Sequence, residues 1–285
     1  MTTVAILGAG DLGGATAHAL AAADRVSRVI LVDAAAGVAA GKALDLQQMG
    51  AILGVHVQLS GTDDISRVTG CDVVVLADRF GSHGGGHSEW RDDDGLGLLR
   101  MSATAIGRAP LVFAGIAQGG LIATAAGEAG IARGRLIGSA PEALAGAIRA
   151  IVAVEARCSP AEVSLAVYGD LPGHPVVAWS DASIGGAAVE RVLSAAQLAR
   201  IESRVGHLWP PGPYALGAAA ARVVHGLVES SRQAVSVLTM LDGEFGARRR
   251  TGVVPALLAP AGIVHARTPV LTTRERVQLD SALRT

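Results

Sequence analysis

Short, almost uninterrupted apolar runs recur along the first half of the chain, and the stretches between them carry Ala, Leu and Val at helical spacing. Residues 4–7 predict a buried strand, 14–23 an Ala-rich helix, 29–32 a second strand and 37–50 a second helix. Residues 72–77 and 111–116 predict further strands, with helical stretches over 98–106 and 121–130. Strands this short and this apolar fit a parallel sheet covered on both faces, and the intervening segments are long enough to carry crossover helices. The expected class is therefore α/β, a doubly wound parallel sheet. After about Ser139 the pattern changes to longer helices over 141–154 and 195–206, mixed with strands over 163–167, 250–256 and 262–264. This predicts two domains, 1–140 and 141–285, the second of α+β type. No internal repeat or low-complexity linker appears, and the glycine-rich tract at 81–86 reads as a mobile loop.

Composition narrows the function classes. The chain has 285 residues, half of them apolar, 17% charged and only 3% aromatic, so a core of Ala, Val, Leu and Ile is packed closely with the help of 37 glycines. With 24 basic and 25 acidic side chains the formal net charge is −1, which leaves no electrostatic footprint for nucleic acid or an anionic membrane. Small-molecule chemistry is the default. Cys71 and Cys158 sit in no CxxC pair or ligand cluster, which fits a reducing cytoplasm, and the N-terminus has no signal-peptide pattern. No apolar run is long enough for a membrane span, since even 215–228 is interrupted by Arg222 and His225.

Chemistry enters at the first turn. The strand ending at Leu7 runs into Gly8-Ala9-Gly10-Asp11-Leu12-Gly13, and a helix opens at once. In that setting Gly8, Gly10 and Gly13 give a tight turn, room for a pyrophosphate and close helix-to-strand contact, while the helix start around Asp11 and Leu12 favours phosphate charge. Asp33 ends the second strand about twenty residues on, where a carboxylate hydrogen-bonds ribose hydroxyls and repels a 2′-phosphate. Together they predict a Rossmann-like dinucleotide site with NAD preferred over NADP.

From here the chain resembles the lactate/malate dehydrogenase family. The resemblance rests on Gly8 to Gly13, Gly41-Lys42-Ala43-Leu44-Asp45-Leu46, Gly61-Thr62-Asp63, Cys71 to Val75 and Arg135-Leu136-Ile137-Gly138-Ser139. Ala178-Trp179-Ser180, Gly252-Val253-Val254-Pro255 and Pro260-Ala261-Gly262-Ile263 continue it in order and spacing. It implies NAD, a homodimer or homotetramer, and hydride transfer on a 2-hydroxy acid. Such chemistry uses a His as proton carrier, an Asp that orients it, and arginines on the substrate.

Several of those positions are changed. Registered on Trp179-Ser180, Leu171 falls where the family carries its His. Leu144 falls on the partner Asp, Ala147 on the carboxylate-binding Arg, and Ile116-Ala117 on an Asn-Pro. Pro210-Pro211 takes the place of a small hydroxyl residue before Tyr214. Losing His and Asp together is coherent, because an Asp left facing Leu171 would be an unpaired buried carboxylate. The pocket is expected to be apolar and ordinary 2-hydroxy-acid oxidation absent.

The alternative is an active oxidoreductase with Arg91 as the lid arginine and His174, three residues beyond Leu171, as a displaced base. Asp78-Arg79-Phe80 replaces small residues at a strand end and is expected to crowd the nicotinamide half of the cofactor. His83, His87 and Glu89 share a glycine-rich loop with no helix to align them, so no metal is expected. Arg248-Arg249-Arg250 reads as a strand edge, and Asp45 as a structural or subunit-contact residue.

Overall fold

The computed structural model describes residues 1–81, 89–230 and 233–284. In chain order these form β1 (Thr3–Leu7), α1 (Asp11–Ala23), β2 (Arg28–Val32), α2 (Ala36–Leu53), β3 (Gln58–Thr62), β4 (Val73–Leu76), α3 (Asp92–Ile106), β5 (Leu111–Phe113), α4 (Gly119–Gly127), β6 (Leu136–Gly138) and α5 (Ala140–Ala156). There follow β7 (Val163–Ser164), β8 (Val167–Asp170), β9 (His174–Val177), β10 (Ser183–Ile184), β11 (Ala187–Ala188), α6 (Val189–Val192), α7 (Ala195–Val205) and α8 (Pro213–Glu229). The chain closes with β12 (Val235–Asp242), β13 (Arg248–Ala259), β14 (Gly262–Ala266) and α9 (Thr273–Ala282).

The main sheet runs β3-β2-β1-β4-β5-β6-β12-β13-β8-β9, with β14 also on β13. Pairing is parallel from β3 to β6 and antiparallel beyond it. The strands alternate their apolar side chains between two covers. Val4, Ile6, Leu31 and Val75 face a cluster with Leu20, Val223 and Leu227, whereas Ala5, Leu7, Val74 and Phe113 face one with Leu99, Leu121 and Leu144. The sheet is thus doubly wound, as the apolar runs predict. It does not stop near residue 140, because β12 and β13 from the second half continue it.

Differences from the pattern reading have local causes. The strand expected over 111–116 ends at Phe113, since Ala114 and the following turn lead into α4. The strand expected over 163–167 divides: Val163–Ser164 joins a small sheet with β10 and β11, while Val167 begins β8 of the main sheet. Most of the glycine tract expected as a mobile loop, and both His83 and His87, lie outside the described residues.

α1, which opens from the glycine turn, is held by α8 at very close range. Gly217 on α8 is buried, and a Cβ there would lie 2.7 Å from Ala15 C and from Thr16 N, both backbone atoms of α1. Gly217→Ala is therefore expected to destabilise the protein by about 1–3 kcal/mol through overpacking, although helix propensity alone would favour Ala by about 1 kcal/mol. Urea unfolding decides the sign, and a stabilised variant would show that the two helices separate freely.

Candidate functional site

β1 delivers the chain into the glycine turn with Gly8 at φ 113°, a left-handed geometry that favours glycine. The space that the glycines leave is filled by Asp78. A Cβ on Gly8 would meet the Asp78 carbonyl oxygen at 2.2 Å, and one on Gly10 would meet Asp78 Oδ2 at 2.3 Å. The Gly10 amide donates to the Asp78 carbonyl at 2.9 Å. The Asp78 carboxylate accepts from the Gly13 amide at 2.8 Å and the Leu12 amide at 3.2 Å. Its N-cap residue, Gly10, has no side chain, so α1 takes an anionic cap from Asp78, far along the chain.

Burial pushes the Asp78 carboxyl above the usual range; the Gly13 and Leu12 N–H groups and the Lys42 charge oppose this, and the Asp11 charge adds to it. Asp11 itself is exposed at the first position of α1. Lys42 Nζ donates to the Gly10 carbonyl at 2.7 Å and lies 6.0 Å from the Phe80 ring centroid.

Asp33, at the end of β2, is 7% exposed. One of its oxygens accepts from the Ala9 amide at 2.7 Å and the Phe80 amide at 3.0 Å, and the other from the Ala35 amide at 2.9 Å. This carboxylate ties the glycine turn to the segment that carries Asp78. Contrary to the expectation that residues 78–80 crowd the nicotinamide end, the Asp78 side chain lies on the glycine turn, at the phosphate end of such a groove.

The expected catalytic positions are apolar in space as well as in sequence. Leu144 is 0% and Leu171 7% exposed, and both belong to one buried cluster with Leu121, Leu238 and Val253. Ala147 and Ile116 are half-buried.

Arg91 caps α3 and its guanidinium is already paired. Glu89 Oε2 accepts from Arg91 Nη2 at 2.9 Å and Nε at 3.2 Å, and the same carboxylate accepts from the Ile116 amide at 3.2 Å and Gln118 Nε2 at 3.3 Å. Trp90 joins the segment to β1, its indole N–H donating to the Leu7 carbonyl at 3.2 Å, and the Arg79 guanidinium stacks 4.6 Å from the Trp90 ring.

His174 is elsewhere. It begins β9 at the edge of the sheet, exposed, in a surface groove with Trp179, Glu202 and Val277. In the sheet order, β6, β12, β13 and β8 lie between β9 and the β5 end that meets Glu89 and Arg91. The structure does not bring the two proposed catalytic residues together. Among the described residues no group of three or more His, Cys, Asp or Glu side chains is placed to hold a metal.

Residues 2–88 match the family model described as lactate/malate dehydrogenase, NAD binding domain. Over those residues the chain is similar to the NAD binding domain of the lactate/malate dehydrogenase family. Malate dehydrogenases of Desulforudis audaxviator and Cytophaga hutchinsonii are each 27% identical to it, over 98% of this chain and 94% of theirs. A solved malate dehydrogenase from Salinibacter ruber superposes with a TM-score of 0.85 at 23% identity, covering 99% of this chain and 94% of that one. The minor L-lactate dehydrogenase of Enterococcus mundtii does so with a TM-score of 0.88 at 19% identity, covering 99% and 95%. These likenesses carry the fold.

NAD is the cofactor of this domain in the family. The glycine turn in its present arrangement does not fit the diphosphate, since the Asp78 carboxylate lies against Gly10 and holds the Leu12 and Gly13 amides. The sequence shows a charged residue at 78, but the destination of its side chain depends on a contact between the chain after β4 and the start of α1.

The Asp33 geometry has a consequence for the ligand-free protein. Asp33→Ala removes the acceptor for three backbone donors, the one at Ala9 fully buried, and is expected to cost about 2 kcal/mol or more. Thermal or urea unfolding without nucleotide checks this. Unchanged stability would mean that the carboxylate serves only a ligand.

Proposed function

We propose that this family member does not carry out ordinary 2-hydroxy-acid oxidation. The observation that carries the reading is the burial of Leu144 and Leu171 in one apolar cluster, at the positions that the resemblance assigns to the family's acid–base pair. Oxidation of an alcohol by hydride transfer needs a group to take the hydroxyl proton, and two leucines offer none. Arg91 does not compensate, because Glu89 already supplies its carboxylate partner. A small carboxylate entering here would be desolvated without a free bidentate partner, which favours a neutral or apolar ligand.

The second reading, an oxidoreductase working through Arg91 and His174, has the exposed position of His174 on the far edge strand against it. The Rossmann-like part is proposed as residues 1–140 and the remainder as 141–285. Family kinship favours a homodimer or homotetramer in the cytoplasm, and Leu44, Ile52 and Leu53 on α2 are exposed apolar side chains suited to a subunit contact. No described helix is long and apolar enough to cross a membrane.

General acid–base catalysis contributes about 10² to 10⁴ in rate, and breaking a buried charge pair costs roughly 2–5 kcal/mol. Malate or lactate with NAD at neutral pH is therefore expected to give no turnover approaching ~1 per second, far below the typical enzyme median of about 10 per second. A spectrophotometric NADH assay tests it, and turnover at that rate on either acid overturns the reading. Leu171→His alone is expected to restore nothing, since Leu144 and Ala147 still withhold the orienting acid and the substrate cation.

A further inference from the structure

The start of α1 combines the features that attract a phosphate: unpaired first-turn amides, the positive end of a 13-residue helix, and a glycine at the point of closest approach. All three are met from inside the chain. Asp78 takes the Leu12 and Gly13 amides, and its carboxylate occupies the space that Gly10 leaves open.

The segment around Asp78 is pinned on several sides. The Gly10 amide holds the Asp78 carbonyl, Asp33 holds the Phe80 amide, and Asp78 pairs with Glu89 as an antiparallel bridge. Next to Glu89, Trp90 is tied to the Leu7 carbonyl. A dinucleotide seated on the same turn would set its diphosphate against this carboxylate, two anions competing for one pair of N–H donors. The position is also one where burial disfavours the charged carboxyl, so the contact is held by geometry and tethering.

We propose that Asp78 is a tethered competitor for the diphosphate of a dinucleotide: NAD(H) enters the glycine turn only when the Asp78 carboxylate has left it, and this residue determines the affinity of the groove. The three glycines are then accounted for without a ligand, since Gly8 and Gly10 make room for Asp78 and Gly13 lets α1 close on Gly8. The inference rests on the groove being the family's NAD site and is independent of whether turnover occurs.

The test is NADH binding to the full-length protein by calorimetry, comparing wild type with Asp78→Ala, and with Glu190→Ala as an exposed acidic control on α6. Asp78→Ala is expected to tighten the Kd at least tenfold and Glu190→Ala to leave it unchanged. Asp78→Ser, which keeps a short acceptor for one amide, serves if the alanine variant does not fold, and the same tightening is expected. Equal or weaker binding by the folded Asp78 variant, no binding by either protein, or an equal gain from Glu190→Ala overturns the inference. Unchanged affinity sinks this inference and leaves the proposed function standing, whereas malate turnover by a tightly binding Asp78→Ala protein does the reverse.

Discussion

Backbone amides that leave a strand and start a helix must find acceptors, and in this protein two carboxylates provide them. Asp33 satisfies Ala9, Ala35 and Phe80, and Asp78 satisfies Leu12 and Gly13. The pair fixes the exit of β1, the end of β2, the start of α1 and the segment after β4 relative to one another. The groove at this end of the sheet therefore has its shape and its negative charge set by the chain itself. The Leu12 and Gly13 amides at the start of α1 find their anion within the chain.

The same logic extends along the groove. Glu89 supplies the anion for Arg91 and the acceptor for the Ile116 amide and Gln118, so the Arg91 guanidinium is neutralised internally. Leu144 and Leu171, in the buried cluster, carry no charge that would need a partner. Where partners exist it has been kept: on the same helix as Leu144, Glu142 is 3% exposed and accepts from Arg149 at 2.6 Å, Arg222 at 2.9 Å and the Ser236 amide at 3.0 Å, joining α5 to α8 and β12. Three donors compensate the buried Glu142 carboxylate, which would cost several kcal/mol if left without them.

This arrangement separates two properties of a dehydrogenase fold. The scaffold survives over the whole chain, as the superpositions with malate and lactate dehydrogenases show. Leu144 and Leu171 are part of the core, in one buried cluster with residues of β12 and β13. Packing at that position needs no ligand to complete it.

The amino-acid sequence by itself determined four strands and their helices in the first half, because apolar runs such as 4–7 and 29–32 have one stable use, in a sheet covered on both faces; it did not reveal the polar β3 or the three-residue β6. It also placed leucine, which has no titratable group in any backbone arrangement, at positions 144 and 171. It did not reveal β12 or α9, whose patterns serve contacts with distant strands, nor the division of 163–167 between two sheets. The fate of Asp78 was likewise a tertiary matter. A charged residue at the end of β4 can face solvent, a ligand or another turn, and only the parallel pairing of β1 with β4 places the chain after Leu76 close enough to Gly10 for its carboxylate to cap α1. Local pattern decides which segments are buried, whereas the partner of a buried charge is decided by what the folded chain brings within hydrogen-bonding distance.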